Sequence, residues 1–237
     1  MKTLQKIFIV NILLFGLLFI TCKTTPPFEY TDTFNVSSEH FVETRSGPWE
    51  TVNNTQFRII IEHEEKIICV RGRVTMTINK KDNYKFRATK PAEDYFPGAE
   101  GRIKVHSGFL LRYEGVRHIL LDIAHQYPDY AIRISGVSLG ATWTQLFLLD
   151  VILHWPDRDV LAILYAPANP WRRLPKKYQK ELEQRTVFVC SHWDPITWMR
   201  PLFYFRYGHD ITIGRWWRFW PPQHHPTQML RSLEEMK

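Results

Sequence analysis

The fold is decided by one stretch, residues 130–154, which reads YAIRISGVSLGATWTQLFLLDVILH. Its first part, residues 130–135, is a short run rich in apolar side chains and predicts a β-strand. Its last part, from Leu139 to about His154, is strongly apolar and predicts a buried helix. Between them lies the pattern G-x-S-x-G centred on Ser138. In the order strand, tight turn and helix, this pattern places a serine hydroxyl at the carboxyl edge of a sheet.

The two glycines of this turn, Gly136 and Gly140, have a steric role. Because they lack a Cβ, the strand and the helix can approach closely enough to hold Ser138 in a strained backbone conformation with its Oγ exposed. The N-terminus of the helix adds unpaired N–H groups and a dipole that favours a developing negative charge. Ser138 is therefore the candidate nucleophile.

Predicted strands and helices alternate on both sides of this turn. Short β-branched runs predict strands over residues 57–62, 66–70, 130–135, 160–165 and 186–190. Helical spacing or composition predicts helices over residues 109–123, 139–154 and 176–184. Alternation of this kind predicts βαβ units, and hence an α/β fold with a mostly parallel central sheet and helices on both faces.

The composition fits one globular domain behind an export signal. The chain has 237 residues, of which 44% are hydrophobic. Lys2 and Lys6 precede an apolar run over residues 7–20 that is short for a bilayer span, so residues 1–21 are predicted to be a signal peptide. Residues 22–50, rich in Thr, Ser and Pro, are predicted to be a linker before a domain over residues 51–237.

The end of the signal, Phe19-Ile20-Thr21-Cys22, resembles the lipobox of bacterial lipoproteins. The resemblance implies a lipid on Cys22 and a protein held at a membrane surface of the bacterial cell envelope. Ordinary cleavage and an uncleaved anchor are the alternatives, and each of the three exports the domain.

Charge and sequence motifs argue against a nucleic-acid partner and a metal site. Loss of Lys2 and Lys6 with the signal lowers the formal net charge from +7 to +5, and no dense basic cluster remains, which argues against a nucleic-acid partner. Cys69 and Cys190 each lie in an apolar run, which favours buried free thiols over the alternative, a disulfide formed after export. The sequence contains no CxxC or HExxH motif, so a metal site has no support.

A nucleophilic serine needs a base, and the base needs a carboxylate to orient it. Asp194 directly follows the predicted strand over residues 186–190, and Pro195 breaks the chain there into a loop, so Asp194 is the best-placed carboxylate. Other aspartates fit less well. Asp157 and Asp159 precede a strand, and Asp210 comes too close to the chain end. Asp150 lies on the helix after the serine, where its side chain is expected to be solvated.

Four late histidines are candidates for the base. His192 precedes Asp194, against the order serine, acid, histidine that accompanies a G-x-S-x-G turn, and His209 lies in a predicted strand or turn. His224 and His225 follow Pro221-Pro222 in a loop before a last short helix. One of this last pair is the predicted base.

Together these stretches resemble the class 3 lipase family of α/β hydrolases, from about Ile67 to Leu230. The resemblance is carried by the strand ending Arg71-Gly72-Arg73, the block Val105-His106-Ser107-Gly108-Phe109, the turn Gly136 to Gly140, and Asp194-Pro195-Ile196, with a fainter similarity over Tyr165 to Asn169.

The resemblance implies a serine carboxylic-ester hydrolase, a lipase acting on acylglycerol or phospholipid esters, that needs no cofactor and no metal. Ser138 would be the nucleophile, Asp194 the acid, and the backbone N–H groups of Arg73 and Leu139 the oxyanion hole. A His-x-Pro pattern found in bacterial members favours His224 as the base, with His225 as the alternative.

Three departures from the family pattern leave the substrate open. Arg73 replaces a small hydroxyl residue whose side chain supplements the oxyanion hole, and loss of one such donor costs about 3 kcal/mol in other hydrolases. Val137 and Ala141 replace a histidine and a glycine. The alternatives are a hydrolase of small esters or thioesters, since no apolar lid is evident over residues 75–100, and a catalytically silent surface lipoprotein that keeps the fold.

Overall fold

The structure is a computed structural model that describes residues 36–53, 55–73, 88–89, 95–97, 102–191, 194, 204–213 and 226–235. The predicted signal peptide, Cys22, His192 and the pair His224 and His225 lie outside the described residues. Within the described part of the chain, none of the helices has the length and apolar character needed to cross a membrane.

The centre of the fold is a seven-stranded sheet. Its order is β1-β2-β3-β6-β7-β9-β10, and every neighbouring pair from β3 to β10 is parallel, while β1, β2 and β3 pair antiparallel. The strands are β1 Glu50–Val52, β2 Thr55–Glu62, β3 Ile67–Arg73, β6 Ala131–Val137, β7 Val160–Tyr165, β9 Thr186–Ser191 and β10 His209–Ile213. The α/β class and the mostly parallel sheet are therefore confirmed.

Helices cover both faces of the sheet, as the sequence predicts. One face carries the larger apolar core, to which α2, α3 and α4 contribute, and the other carries a smaller core with α1 and α5. The helices are α1 Ser38–Arg45, α2 Ser107–Gln126, α3 Leu139–His154, α4 Lys176–Arg185 and α5 Pro226–Glu234. The bounds of α3 and β7 agree with the prediction at both ends.

A second sheet of three short antiparallel strands was not predicted. It consists of β4 Ala88–Thr89, β5 Lys104–His106 and β8 Trp171–Arg173. Val105 and Trp171 are fully buried, and they join this sheet to the larger core. Strands of two or three residues carry no periodicity, so non-local pairing alone defines them.

The prediction of a linker over residues 22–50 is wrong for residues 38–45, which form α1. Ser37 caps this helix by accepting a hydrogen bond from the N–H of His40 at 3.1 Å. Phe41 is fully buried in the smaller core. A helix of eight residues with one buried apolar side chain has too weak a periodicity to be recognised in sequence.

The prediction of a solvated Asp150 is also wrong, because its side chain is completely buried on α3. Its carboxylate accepts hydrogen bonds from the Tyr113 hydroxyl at 2.5 Å and from Arg117 Nε at 2.6 Å, both on α2. His154 Nδ1, one turn further along α3, lies 3.0 Å from the other carboxylate oxygen. This buried ionic cluster joins α2 to α3. Removal of one member would destabilise the fold, because it would leave an uncompensated buried charge.

The stability that this cluster contributes depends on pH through two groups, Asp150 and His154, whose pKa values are shifted in opposite directions. The hydrogen bond to Asp150 raises the pKa of His154 above its ordinary value. Burial opposes the charge on Asp150, but the hydrogen bonds from His154, Arg117 and Tyr113 together hold the pKa of this carboxyl below its ordinary value. The contribution of Asp150 is thus lost as the pH falls, and that of the His154 charge as the pH rises.

We expect His154→Gln to destabilise the fold more at about pH 5.5 than at about pH 9. The charged imidazole contributes fully below its unfolded pKa, about 6.5, and stops contributing as the pH rises through the raised folded pKa. Urea unfolding at both pH values measures the difference. His125→Gln, at an exposed position in the last turn of α2, is the matched control. An equal pH dependence of the free energy of unfolding in the two variants would contradict the prediction.

Candidate active site

Ser138 occupies the turn between β6 and α3 in a strained backbone conformation. Its φ is 56° and its ψ is −124°, values that resemble the first central position of a type II′ turn, where glycine is preferred. A non-glycine residue at positive φ costs of order 1–3 kcal/mol and persists only where its surroundings enforce it. The strain predicted from the G-x-S-x-G pattern is therefore present.

Close backbone packing around three glycines enforces this conformation. A Cβ on Gly140 would lie 2.3 Å from the carbonyl oxygen of Gly72, at the end of β3. A Cβ on Gly136 would lie 2.7 Å from the backbone nitrogen of Ala141, in the first turn of α3. Since real Cβ atoms do not tolerate such distances, only glycine permits this approach of helix and strands.

Hydrogen bonds hold both backbone groups of Ser138. Its N–H donates to the carbonyl oxygen of Tyr165 at 2.8 Å, at the end of β7. Its carbonyl oxygen accepts from the N–H of Thr142 at 3.1 Å and from the Thr142 hydroxyl at 3.0 Å. The same hydroxyl accepts from the N–H of Ala168 at 2.9 Å, so Thr142 joins the serine turn to the loop after β7.

Sequence reasoning missed Thr142 and Tyr165 as supports of the site. Thr142 lies four residues after Ser138, one helical turn, and this spacing could have indicated it. No local signal points to Tyr165, because its contact with Ser138 depends on the parallel pairing of β6 with β7.

The two predicted oxyanion donors lie on adjacent backbone segments. Leu139 is the first residue of α3, where backbone N–H groups have no partner within the helix and the dipole favours negative charge. The backbone nitrogen of Arg73 lies 2.6 Å from the position that a Cβ of Gly140 would take. The guanidinium of Arg73 lies over the ring of Trp49, 5.6 Å from its centroid.

Asp194 is fully buried just beyond the end of β9. Its backbone N–H donates to the carbonyl oxygen of Ser191 at 3.2 Å. Because β6, β7 and β9 are parallel neighbours, Asp194 and Ser138 both follow strands at the carboxyl edge of the sheet. A buried carboxylate at this edge matches the position predicted for the acid.

The predicted base lies outside the described residues, whichever of His224 and His225 is meant. The helix that follows them, α5, begins at Pro226. Its Met229 and Leu233 are buried in the smaller core, together with Tyr165. The chain directly after the histidine pair is thus held on the face of the sheet opposite α3.

Other reactive groups near the sheet are held in unreactive states. Burial lowers the pKa of His106 to about 4, and its Nδ1 accepts a hydrogen bond from the N–H of Gly108 at 3.2 Å. Burial raises the pKa of Cys69 to about 11 and that of Cys190 to about 12. Both cysteines are free thiols, as predicted, although Cys69 is only half-buried. Thiols with such pKa values are weak nucleophiles at neutral pH.

A mostly parallel sheet with a strained serine at a strand-to-helix turn on its carboxyl edge defines an α/β hydrolase. The family model of the class 3 lipases matches residues 67–204, which is more than half of the chain. The chain therefore belongs to the class 3 lipase family. No curated protein matches it significantly.

Solved fungal lipases share this fold at low sequence identity. A triacylglycerol lipase from Penicillium expansum is 19% identical, with a TM-score of 0.55, 70% of this chain covered and 68% of that one. The Lip2 lipase of Yarrowia lipolytica is 17% identical, with a TM-score of 0.55 and coverages of 69% and 63%. The Rhizomucor miehei lipase, in complex with its propeptide, is 18% identical, with a TM-score of 0.53 and coverages of 69% and 54%. The chain thus spans between about half and two thirds of the length of these lipases.

Backbone strain at Ser138 predicts an unusual order of stability among its variants. Gly and Ala both remove the hydroxyl, but only Gly adopts the observed φ without cost, so Ser138→Gly is expected to be more stable than Ser138→Ala by about 1 kcal/mol. Urea titration measures the difference. Ser135, inside β6, is the matched control, because there Gly is expected to be less stable than Ala. The same order at both positions would argue against strain at Ser138.

Proposed function

We propose that this protein hydrolyses carboxylic esters through an acyl-enzyme formed on Ser138. The observation that carries the proposal is the strained backbone of Ser138 at the N-terminus of α3, held by Gly72, Gly136 and Gly140. A serine in this position presents Oγ at the carboxyl edge of the sheet, beside N–H groups that lack partners within the helix. Membership of the class 3 lipase family and the fold of the solved lipases support an ester hydrolase.

In the proposed mechanism His224, or else His225, removes the proton from Ser138 as Oγ attacks the ester carbonyl carbon. The negative charge that develops on the carbonyl oxygen is stabilised by the N–H groups of Leu139 and Arg73. The histidine then gives its proton to the leaving alcohol, which departs as the acyl-enzyme forms. Water, activated by the same histidine, releases the carboxylic acid and restores the serine, and Asp194 orients the imidazole throughout.

We propose acylglycerols or phospholipids as the substrate class. Membership of the lipase family supports a lipid ester, and the Penicillium expansum protein that shares this fold is a triacylglycerol lipase. Export and lipid attachment at Cys22 would bring such a domain to a membrane surface, where these esters are found. The two alternatives, hydrolysis of small esters or thioesters and a silent hydrolase fold, predict different outcomes of the first experiment.

The first experiment measures hydrolysis of p-nitrophenyl esters of increasing chain length by the protein without its predicted signal peptide. We expect turnover that rises with chain length and falls by roughly 10⁴-fold or more in Ser138→Ala, because no other group takes over a missing nucleophile. Thr51→Ala, which removes an exposed hydroxyl from the outermost strand β1, is expected to keep full activity.

Three results would separate the alternatives. Turnover of short esters only would indicate a small-ester hydrolase, and a thioester substrate tests the remaining member of that class. A folded protein with no turnover and no labelling by a fluorophosphonate, which reacts only with an activated serine, would contradict the proposal and favour a silent fold. Labelling without turnover would keep the activated serine and exclude these ester classes as substrates.

Substitution of the two neighbouring histidines identifies the base. We expect His224→Ala to lower kcat by roughly 10⁴-fold or more and His225→Ala to leave it nearly unchanged, since a base that belongs to a triad cannot be replaced by a neighbour without loss of geometry. Each variant is the control for the other, and kcat with a p-nitrophenyl ester is the measurement. The reverse result would assign the base to His225, and full activity in both would contradict the proposed triad.

A further inference from the structure

Helix α1 lies on the sheet face opposite α3 and contacts three neighbouring strands through polar side chains. Phe41 is its single buried apolar side chain, while Val42 is about half exposed. His40, Glu43 and Thr44 each bond to a different strand, near its carboxyl end. Specific polar contacts therefore fix the position of this helix together with the packing of Phe41 in the smaller core.

The contact with β7 reaches the residue that holds the serine backbone. The Nδ1 of His40 is hydrogen-bonded to the Tyr165 hydroxyl at 2.8 Å, and the Phe41 ring packs edge-on against the Tyr165 ring at 4.9 Å. Burial, with Arg71 nearby, lowers the pKa of His40, which favours a neutral imidazole whose Nδ1 accepts a hydrogen bond from the tyrosine hydroxyl. The carbonyl oxygen of the same tyrosine accepts the N–H of Ser138.

The contact with β3 reaches the strand end that carries a proposed oxyanion donor. Arg71 is 4% exposed, and its Nη1 donates to the carbonyl oxygen of Glu43 at 2.7 Å, while its Nη2 pairs with the Glu43 carboxylate. Gly72 and Arg73 follow directly, and Gly72 is the residue that touches Gly140. A shift of Arg71 would move this strand end against α3.

The contact with β6 lies three residues before the serine. The Thr44 hydroxyl is hydrogen-bonded to the Ser135 hydroxyl at 3.2 Å and donates to the carbonyl oxygen of His40 at 2.8 Å. Ser135 is paired in register with Arg71 of β3, and Gly136 follows it. Thr44 therefore contacts the strand that leads directly into the turn.

We propose that α1 is a positioning clamp, in which His40, Glu43 and Thr44 hold the ends of β7, β3 and β6 in the alignment that the serine site requires. The proposal rests on the proposed function. Each of the three strands runs from its clamp contact into backbone that surrounds Ser138: the Tyr165 carbonyl, the Gly72-Arg73 segment and the Gly136 turn. Catalytic groups must be held within about 0.5 Å of their productive arrangement, and polar contacts fix a position more narrowly than apolar packing does.

The test compares two hydroxyl contacts of the same kind at opposite edges of the sheet. Tyr165→Phe removes the hydrogen bond to His40 but keeps the ring and the carbonyl oxygen that Ser138 uses. Tyr130→Phe removes a comparable bond, from the Tyr130 hydroxyl to His63 Nδ1 at 3.1 Å, near the turn that joins β2 to β3. We expect Tyr165→Phe to lower kcat for a p-nitrophenyl ester about tenfold with KM unchanged, and Tyr130→Phe to keep the kcat of the unmodified protein.

A second pair of variants separates positioning from loss of folding. Thr44→Val keeps the shape of the side chain and removes both of its hydrogen bonds, and it is expected to lower kcat about tenfold, while Thr44→Ser restores the hydroxyl and the activity. Near-UV circular dichroism and cooperative urea unfolding establish that each variant is folded.

Two outcomes would overturn the clamp. If folded Tyr165→Phe and Thr44→Val both keep the kcat of the unmodified protein, α1 plays no part in positioning. If Thr44→Ser loses as much activity as Thr44→Val, the hydroxyl is not the group that matters. Failure of the proposed function has a different signature, because the unmodified protein itself would then show no turnover and no fluorophosphonate labelling.

Discussion

The contact between the backbones of Gly72 and Gly140 is the constraint on which the site depends. It brings the N-terminus of α3 against the end of β3 at a distance that any side chain on either glycine would prevent. Because α3 starts immediately after the turn, this approach dictates where the helix begins and forces Ser138 to a positive φ. The same contact brings the backbone nitrogen of Arg73 beside the first turn of α3. The strained backbone of Ser138 and the placement of the proposed oxyanion donors thus both follow from one close approach of helix and strand.

The strain at Ser138 persists because α3 is held on every side. Its residues from Gly140 to Ile152 are all buried. Since each large apolar side chain contributes about 1.5–3 kcal/mol when it is fully buried, the whole helix outweighs a local cost of order 1–3 kcal/mol. Apolar packing alone leaves the helix free to rotate or slide by small amounts. The buried carboxylate of Asp150, bonded to Tyr113 and Arg117, removes that freedom because few arrangements satisfy all its partners.

Sequence patterns predicted the elements whose signals are local. The short apolar run of β7, the long apolar run of α3 and the G-x-S-x-G turn are each continuous in the sequence, and their positions agree with the structure. The features that escaped prediction depend on distant partners. The partners that accompany the burial of Asp150 lie 33 and 37 residues earlier in the chain, and α1 bonds to three strands that are distant in the sequence. The position of Asp194 at the sheet edge could be predicted from its place after β9, whereas the contact of Tyr165 with Ser138 required the parallel pairing to be known.

The departure at Arg73 follows from the same geometry. Side chains alternate along β3, so Arg71 and Arg73 both leave the strand on the face that carries α1. There the guanidinium of Arg73 lies over Trp49 while its backbone nitrogen remains beside Gly140. The long side chain therefore lies away from the face occupied by α3, and the place of the backbone nitrogen beside Gly140 is kept. In the proposed mechanism the oxyanion hole then consists of backbone N–H groups alone, without the hydroxyl that a smaller residue would add. Since one donor contributes about 3 kcal/mol to transition-state stabilisation in other hydrolases, the backbone donors need a more exact alignment, and the polar contacts of α1 with β3, β6 and β7 act on that alignment.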